Sequence, residues 1–308
     1  MPTTSEVAVA ADIEELTAKR SFWQSLVRTA RKQPVGAVGA VLVLLMVIAA
    51  VFAPVLSSYD PTANNFADMH QPPSWEHLLG TDQFGRDIFA RILYGARTAL
   101  FVGFAASFIG GGVGLVLGVS SAYFGGRFDL IFQRVMDVFM AFPLIIMALA
   151  VVSIASSIEM LKEIPSSVPV IIAIIVPFIP RCARVVRSSA LSVREMPYVD
   201  AARANGFSHS RIVLRHMVPN VMAPFLIMLT AFVGQAILLE ASLSYLGLGV
   251  QEPTPAWGLM LRGGAEEYAL SAPWIAIFPG LAITLAVFGF NLFGDAVRDA
   301  LDPKLRSQ

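Results

Sequence analysis

The chain has 308 residues, of which 56% are hydrophobic and 14% are charged, and its positive and negative side chains balance to a net charge of zero. Soluble domains carry about 25% charged residues, so this composition excludes an ordinary soluble domain and predicts a protein that crosses a membrane several times. A neutral chain without a basic tract is not an expected nucleic-acid binder. The single cysteine, Cys182, excludes an internal disulfide, and the four scattered histidines lack the spacing of metal ligands, so no metal site is predicted.

Residues 1–34 form a predicted cytoplasmic arm in front of the first apolar stretch. Within it, the segment Ile13–Lys32 alternates apolar and basic side chains, which predicts an amphipathic helix lying in the inner membrane interface. The arm is too long and too polar for a cleavable signal peptide. We therefore interpret the first apolar stretch as a signal anchor.

Residues 35–297 form the predicted membrane domain. A helix needs about 20 apolar residues to cross the hydrocarbon core, and six stretches predict an all-α polytopic fold with six transmembrane helices. These stretches are Val35–Val55, Ala99–Tyr123, Leu130–Ile154, Val168–Ala183, Pro219–Leu246 and Trp274–Asp295. In the second, small residues recur at Gly110, Gly114 and Gly118, which predicts close packing against another helix, either of the same chain or of a partner in a dimer.

The distribution of lysine and arginine predicts the orientation of these helices. With the N-terminus inside, the inner segments hold 17 of the 22 lysines and arginines, and the outer segments hold five. The positive-inside rule therefore places both termini in the cytoplasm, including the tail at 298–308. The same rule makes the loop at about 184–218 cytoplasmic.

The outer segment between the first and second apolar stretches combines turn-forming and charged residues. Gly80 and Gly85 permit turns, and we expect Asp82, Arg86, Asp87 and Arg91 to form a local ion-pair network. Exposed ion pairs contribute little stability, so this network is expected to orient the loop rather than to stabilise the protein.

Three polar or amphipathic side chains lie in or near the predicted helices of the membrane domain. Asp137 and Glu240 are too costly to face lipid, so both should point towards protein or water. Glu240 is interpreted either as a satisfied structural carboxylate or as a lining group of a solute pathway. Trp257, in the outer segment before the last stretch, is interpreted either as an interfacial anchor or as part of an outer gate that folds into the pore mouth.

The polar segment between the fourth and fifth stretches predicts two short helices set crosswise to the membrane helices. Pro197 favours a helix start, and Asp200 in the first turn faces the positive end of the helix dipole. Gly206 permits the left-handed residue that ends a helix, and Ser208 can cap the next one. The alanines after Asp200 would let another protein approach closely: Ala201, Ala202 and Ala204.

This polar segment resembles the coupling motif of ABC importer permeases. Asp200, Ala201 and Ala202 match its acidic-Ala-Ala triplet, Gly206 follows four residues later, and Pro219 follows thirteen residues after the glycine. The departures are mild: Asp200 replaces the usual glutamate, and His216 and Val218 stand where isoleucine and leucine are common.

A second resemblance narrows the family to the dipeptide/oligopeptide/nickel permeases. The outer segment Leu79–Arg91 resembles their signature, with matches at Gly80, Thr81, Asp82, Gly85, Arg86 and Asp87. Further similar stretches are Pro180–Arg187, Leu243–Val250 and Phe278–Thr284. Together they resemble the C-type transmembrane subunit, which has a long N-terminal arm and six spans.

The resemblance implies half of a heterodimeric pore in a bacterial inner membrane, with the type I importer fold. The expected partners are a homologous B-type permease, two cytoplasmic ATPases that use ATP and Mg²⁺, and an external solute-binding protein. This chain has no phosphate-binding loop, since no lysine follows a glycine, and it is expected to be neither an enzyme nor a cofactor binder.

The resemblance implies di- or oligopeptides as the first choice of solute, with nickel or another small solute as the alternative. An ion-coupled secondary transporter is the rival class, although no internal repeat supports it.

Overall fold

The computed structural model describes residues 33–265 and 268–301. The predicted interfacial helix at Ile13–Lys32 and residues 302–308 of the predicted tail lie outside these residues. Helices dominate the described chain, and five of them are long and apolar enough to cross a membrane. In chain order the helices are α1 (Pro34–Leu56), α2 (Ile88–Phe124), α3 (Gly126–Met140), α4 (Leu144–Ser157), α5 (Glu159–Lys162), α6 (Ser167–Arg194), α7 (Pro197–Ala204), α8 (His209–Ile212), α9 (Val218–Tyr245), α10 (Trp257–Ala265) and α11 (Trp274–Leu301).

The five candidate spans are α1, α2, α6, α11 and the run His209–Tyr245, which joins α8 to α9. That run includes one π-helical turn, Val213–Met217. All five overlap predicted stretches, so the predicted helical membrane fold is confirmed.

The third predicted stretch, Leu130–Ile154, is wrong as one continuous helix. Helices α3 and α4 meet at an angle of 93°, and the count of spans reaches six only if this bent pair is taken as one. Pro143 explains the break, because proline lacks an N–H and disfavours helical backbone in the residue before it. Helix α3 is instead held against α6 by ion pairs, in which Arg187 donates to Asp129 and Arg184 donates to Asp137.

Two other predicted stretches are shorter than the helices that contain them. Helix α6 continues to Arg194 rather than ending at Ala183, because its arginines lower the hydropathy of the sequence without ending the helix. Helix α2 begins at Ile88, within the outer segment, where the Asp87 side chain caps it by accepting from the Ala90 N–H at 2.7 Å.

Close backbone contact joins α2 to α6. A Cβ atom on Gly114 would lie 2.5 Å from the Cys182 Cβ, and one on Gly118 would lie 2.5 Å from the Ala183 carbonyl oxygen. The predicted packing of the glycine stripe within the chain is therefore confirmed. Cys182 is buried in this contact, with its sulfur 3.3 Å from the Gly111 carbonyl oxygen, and it serves as a small packing residue.

Two hydrophobic clusters lie on either side of the α2–α9 contact. One joins α2, α4, α6 and α9 and includes the stacked rings of Phe178 and Phe232, whose centroids are 4.2 Å apart. The other joins α1, α2, α9, α10 and α11 and includes Trp257 and Phe290. Together they fix α2 and α9 in the centre of the bundle.

The α2–α6 contact predicts a contrast between two glycines of one helix. Gly118→Leu should destabilise the protein by about 1–3 kcal/mol, because the added side chain would overlap with the Ala183 backbone. A helix backbone, unlike a flexible side chain, cannot rotate to relieve this overlap. Gly112→Leu should be tolerated, because no heavy atom lies within 4 Å of a Cβ there. Thermal unfolding of the purified variants checks this, and equal losses at both glycines would contradict the packing.

Candidate functional site

The segment 197–219 has its helix boundaries where the sequence predicts them, but the prediction of two separate crosswise helices is wrong, because α8 continues through a π-helical turn into α9 as the run His209–Tyr245. Helix α7 begins at Pro197, and Asp200 in its first turn pairs with Arg203, with 3.1 Å between their oxygen and nitrogen atoms. The Ser208 side chain accepts from the Arg211 N–H at 3.4 Å and caps α8. Pro219 lies at the start of α9, directly after the π-helical turn Val213–Met217.

Gly206 is the turn between α7 and α8. Its φ is +72°, and no heavy atom lies within 4 Å of the position of a Cβ, so glycine is needed there for its backbone conformation and not for space. The turn is closed by the Phe207 N–H, which donates to the Ala202 carbonyl oxygen at 3.1 Å. The predicted left-handed glycine is confirmed.

One side of the segment is buried and the other is open. Val199, Ala202 and Ile212 pack into the hydrophobic cluster around α2 and α6, whereas Asp200 and Ala201 are exposed. The expectation that Ala202 faces another protein is therefore wrong: its side chain is 5% exposed and fills the chain's own core. Of the acidic and alanine residues of α7, a partner can reach Asp200, Ala201 and Ala204.

Tyr123, near the end of α2, attaches the segment to the membrane helices. Its hydroxyl oxygen lies 2.7 Å from Nδ1 of His209 on α8, and the Arg203 guanidinium of α7 lies 5.4 Å from the centre of its ring. One side chain thus contacts both short helices across the glycine turn. This contact could not be predicted, because its only local sign is an aromatic residue at the end of an apolar stretch.

At the opposite end of α2 from Tyr123, four charged residues form what we call the outer cluster: Asp82, Arg86, Arg91 and Glu252. Arg86 donates to Asp82 at 2.7 Å and to both oxygens of Glu252 at 2.7 and 3.2 Å. The Arg91 guanidinium lies 3.7 Å from Asp82 and 3.5 Å from Glu252, and it also donates to the Pro61 carbonyl oxygen at 3.0 Å.

The outer cluster differs from the predicted network in burial and in membership. Asp82, Arg86 and Arg91 are each less than 5% exposed, so the expectation of exposed ion pairs is wrong. Glu252 joins from the loop between α9 and α10, which the local spacing of the outer segment could not indicate. Asp87 lies apart from the cluster, where it caps α2 and contacts Nδ1 of His77 at 2.9 Å.

The remaining signature residues shape the loop around this cluster. Gly80 and Gly85 have φ of +78° and +70°, and a Cβ on Gly85 would lie 1.7 Å from the Asn65 carbonyl oxygen. The Thr81 hydroxyl donates to the Asp68 carbonyl oxygen at 2.5 Å and accepts from the Gln71 N–H at 2.8 Å. The loop is thus a fixed structure that closes one end of α2.

Comparison with known protein families identifies the family to which the chain belongs. Residues 114–307 match the family described as "Binding-protein-dependent transport system inner membrane component". The chain belongs to this family. Residues 21–73 also match the N-terminal transmembrane domain of oligopeptide transport permease C. The chain is therefore a membrane permease, a transport component and not an enzyme.

Similar curated proteins cover most of the permease. A putative peptide transport system permease protein of Brucella abortus is 44% identical over 271 residues, 88% of each chain. The dipeptide transport system permease protein DppC of Alkalihalophilus pseudofirmus is 41% identical over 93% of this chain and 91% of its own. The glutathione transport system permease protein GsiD of Escherichia coli is 40% identical over 93% of this chain and 92% of its own.

A solved structure shows the fold. The permease resembles a chain of the MetNI methionine ABC transporter in an inward-facing conformation, with a TM-score of 0.55 and 19% identity. The likeness covers 68% of this chain and 96% of that chain. The permease therefore has the type I importer fold.

The two residues with open interpretations are both buried in the permease. Glu240 is 1% exposed and accepts from the Ser244 hydroxyl at 2.7 Å, and the same hydroxyl accepts from the Val250 N–H at 3.1 Å. This network ties α9 to the loop that follows it, which supports a structural role for the carboxyl group.

Trp257 is 3% exposed, and its indole N–H donates to the Ile92 carbonyl oxygen at 3.0 Å. A Cβ on Gly95 would lie 2.7 Å from its ring. Its side chain therefore joins α10 to α2 inside the chain, and the interpretation as an exposed interfacial anchor is wrong.

Burial of the outer cluster predicts a large cost for losing one of its charges. Arg91→Ala should lower the free energy of unfolding by about 3 kcal/mol, because Asp82 would remain buried with one cation fewer. Arg127→Ala, which removes an exposed arginine, should change it by about 0.5 kcal/mol or less. Chemical or thermal unfolding of the purified permease measures both, and similar values for the two arginines would contradict the buried network.

Proposed function

We propose that this permease is one transmembrane subunit of an ATP-driven, binding-protein-dependent importer of di- or oligopeptides. The observation that carries the solute class is the set of similar proteins that span nearly the whole chain and are named for peptide, dipeptide and glutathione transport. Glutathione is itself a tripeptide, so the three names share one kind of solute.

The proposed assembly contains a homologous B-type permease, two cytoplasmic ATPases and an external solute-binding protein. ATP and Mg²⁺ act at the ATPases, since this chain lacks a phosphate-binding loop. The ATPases would contact the segment 197–219 on its open side, where Asp200 and Ala201 are exposed and Gly206 fixes the angle between α7 and α8.

Movement of this segment would reach the membrane helices through Tyr123. Closure of the ATPases on ATP shifts α7 and α8, the contacts of Tyr123 with His209 and Arg203 carry the shift to α2, and α2 ends at the outer cluster. The pore would open outwards while the binding protein delivers a peptide, and hydrolysis would reset it.

The proposed location is the inner membrane of a bacterium, with both termini and the segment 197–219 in the cytoplasm. The excess of lysine and arginine in the inner segments supports this orientation. It puts the Tyr123 contact on the side of the ATPases and the outer cluster on the side of the binding protein.

The glycine turn supplies the test of coupling. Gly206→Val should abolish ATP-driven uptake of dipeptides in reconstituted vesicles, because a β-branched residue at φ +72° is strained by about 1 kcal/mol or more and would change the angle between α7 and α8. Gly206→Asn is the matched control, since asparagine adopts this backbone conformation and should retain most uptake. Normal uptake by Gly206→Val in a fully assembled complex would refute the coupling role. Uptake that stops with a protonophore while ATP is present would indicate the ion-coupled rival instead.

Cysteine labelling tests the orientation. In a Cys182→Ala background, Trp75→Cys should react with a membrane-impermeant maleimide added to intact cells, because Trp75 is 97% exposed in the outer segment. Glu195→Cys, at an exposed position between α6 and α7, should react only after the cells are permeabilised. The reverse pattern would place the segment 197–219 outside and away from any ATPase.

A further inference from the structure

Arg181 differs from the other arginines of α6 in having no carboxylate partner among the residues that the structure describes. Arg184 pairs with Asp137, Arg187 with Asp129 and Arg194 with Glu195. The described contact of Arg181 is with an amide: its guanidinium donates to the Gln235 side-chain oxygen of α9 at 3.4 Å.

The position of Arg181 makes this unusual. It stands near the middle of α6, one of the candidate membrane spans, and its side chain is partly exposed. A guanidinium keeps its charge in proteins, and charged groups within membrane spans face water, protein partners or the solute pathway. A planar fork of donors matches a carboxylate in geometry as well as in charge.

Gln235, the partner of Arg181, lies one helical turn before an apolar groove. Gln235 shares one face of α9 with Leu238 and Ser242, which are three and seven residues further on. Those two residues line a cavity of about 510 Å³ between α4, α9, α10 and α11. Its other walls include Ile145, Leu261, Ile283 and Thr284.

The walls of this groove offer little polar recognition of their own. The Ser242 hydroxyl donates to the Leu238 carbonyl oxygen at 2.7 Å, and the Thr284 hydroxyl donates to the Gly280 carbonyl oxygen at 2.8 Å. No carboxylate, lysine or arginine lines the cavity in the part of the chain that the structure describes. The groove therefore suits an apolar side chain, and the Arg181 guanidinium contacts α9 at Gln235, one helical turn before Leu238.

We propose that Arg181 and Gln235 bind the free carboxylate of the solute during passage, while the groove of Leu238 and Ser242 accommodates its apolar side chains. This inference rests on the proposed function, because it assumes that the groove faces the solute pathway. It assigns to this subunit a preference for peptides with a free C-terminus, separate from any preference of the binding protein.

A labelling experiment on the assembled complex tests this binding without uptake and without the binding protein. Leu238→Cys is introduced with Cys182→Ala, since Leu238 is 49% exposed on the groove and Cys182 is the only native cysteine. The rate of modification by a water-soluble thiol reagent is then measured with increasing Ala-Phe or its C-terminal amide. The free acid should protect at a concentration about tenfold lower than the amide, the factor that one charge-assisted hydrogen bond provides.

Substitutions identify the group responsible. Arg181→Gln should abolish the preference for the acid, and Arg181→Lys should keep part of it. Gln235→Glu should also abolish it, because an internal carboxylate would then occupy the guanidinium without removing it. Arg134→Gln is the control. The Arg134 side chain is 80% exposed on α3, and its ion pair with Asp137 is long, at 4.0 Å, so this substitution should leave the preference for the acid unchanged.

Several results would overturn the inference. They are equal protection by acid and amide in the parent complex, a preference that survives both Arg181→Gln and Gln235→Glu, and a Leu238→Cys that water-soluble reagents cannot reach because lipid or a partner covers it. If Arg181→Gln prevents assembly of the complex and Gln235→Glu keeps the preference for the free acid, the inference is also wrong. Arg181 would then contact a partner subunit rather than the solute. ATP-driven uptake of Ala-Phe by the unmodified complex is measured in parallel: its absence defeats the proposed function, whereas normal uptake without the acid preference defeats only the role of Arg181.

Discussion

The contact between α2 and α6 is the constraint on which the rest of the permease depends. Helices in a membrane gain little from apolar burial, so they associate where small side chains let their backbones meet. Gly114 and Gly118 provide such a surface, and Cys182 and Ala183 fill the opposite side of it. Once α6 is fixed in this way, its arginines face α3 and α9, and its end leads directly into the segment 197–219.

The two ends of α2 are held by different physical means. At the end that carries the outer cluster, charges from two separated parts of the chain, residues 82–91 and Glu252, neutralise one another, which gives a rigid loop as long as every partner is present. At the other end, Tyr123 contacts His209 through both its hydroxyl and its ring, and its ring also contacts the Arg203 guanidinium. The contacts of Tyr123 thus include no ion pair, in contrast to those of the outer cluster.

Features that depend on neighbours in the sequence could be predicted. Pro197, Gly206 and Ser208 determine the ends of α7 and α8 through local backbone preferences, and each occupies its expected place. The glycine stripe and the apolar stretches follow from periodicity and length alone. The bend between α3 and α4 was also open to prediction, because Pro143 disfavours a helical residue at Phe142.

Features that depend on distant residues could not be predicted. Glu252 completes the outer cluster from 166 positions beyond Arg86, and no spacing rule connects them. The burial of Ala202 and Trp257 likewise depends on which face of a helix meets the bundle, and short or mixed stretches do not determine that face. That Arg181 has an amide rather than a carboxylate as its partner among the described residues depends likewise on contacts between distant helices.

The length of α2 has a mechanical consequence. Its 37 residues extend for about 55 Å, whereas the hydrocarbon core of a bilayer is about 30 Å thick. No proline interrupts it, so the helix acts as a single lever whose two arms reach beyond the lipid on opposite sides. A tilt of about 5° around its midpoint would displace each tip by about 2.4 Å, close to the length of a hydrogen bond. A small rotation at the end that carries Tyr123 is thus enough to make or break contacts at the other end of the helix.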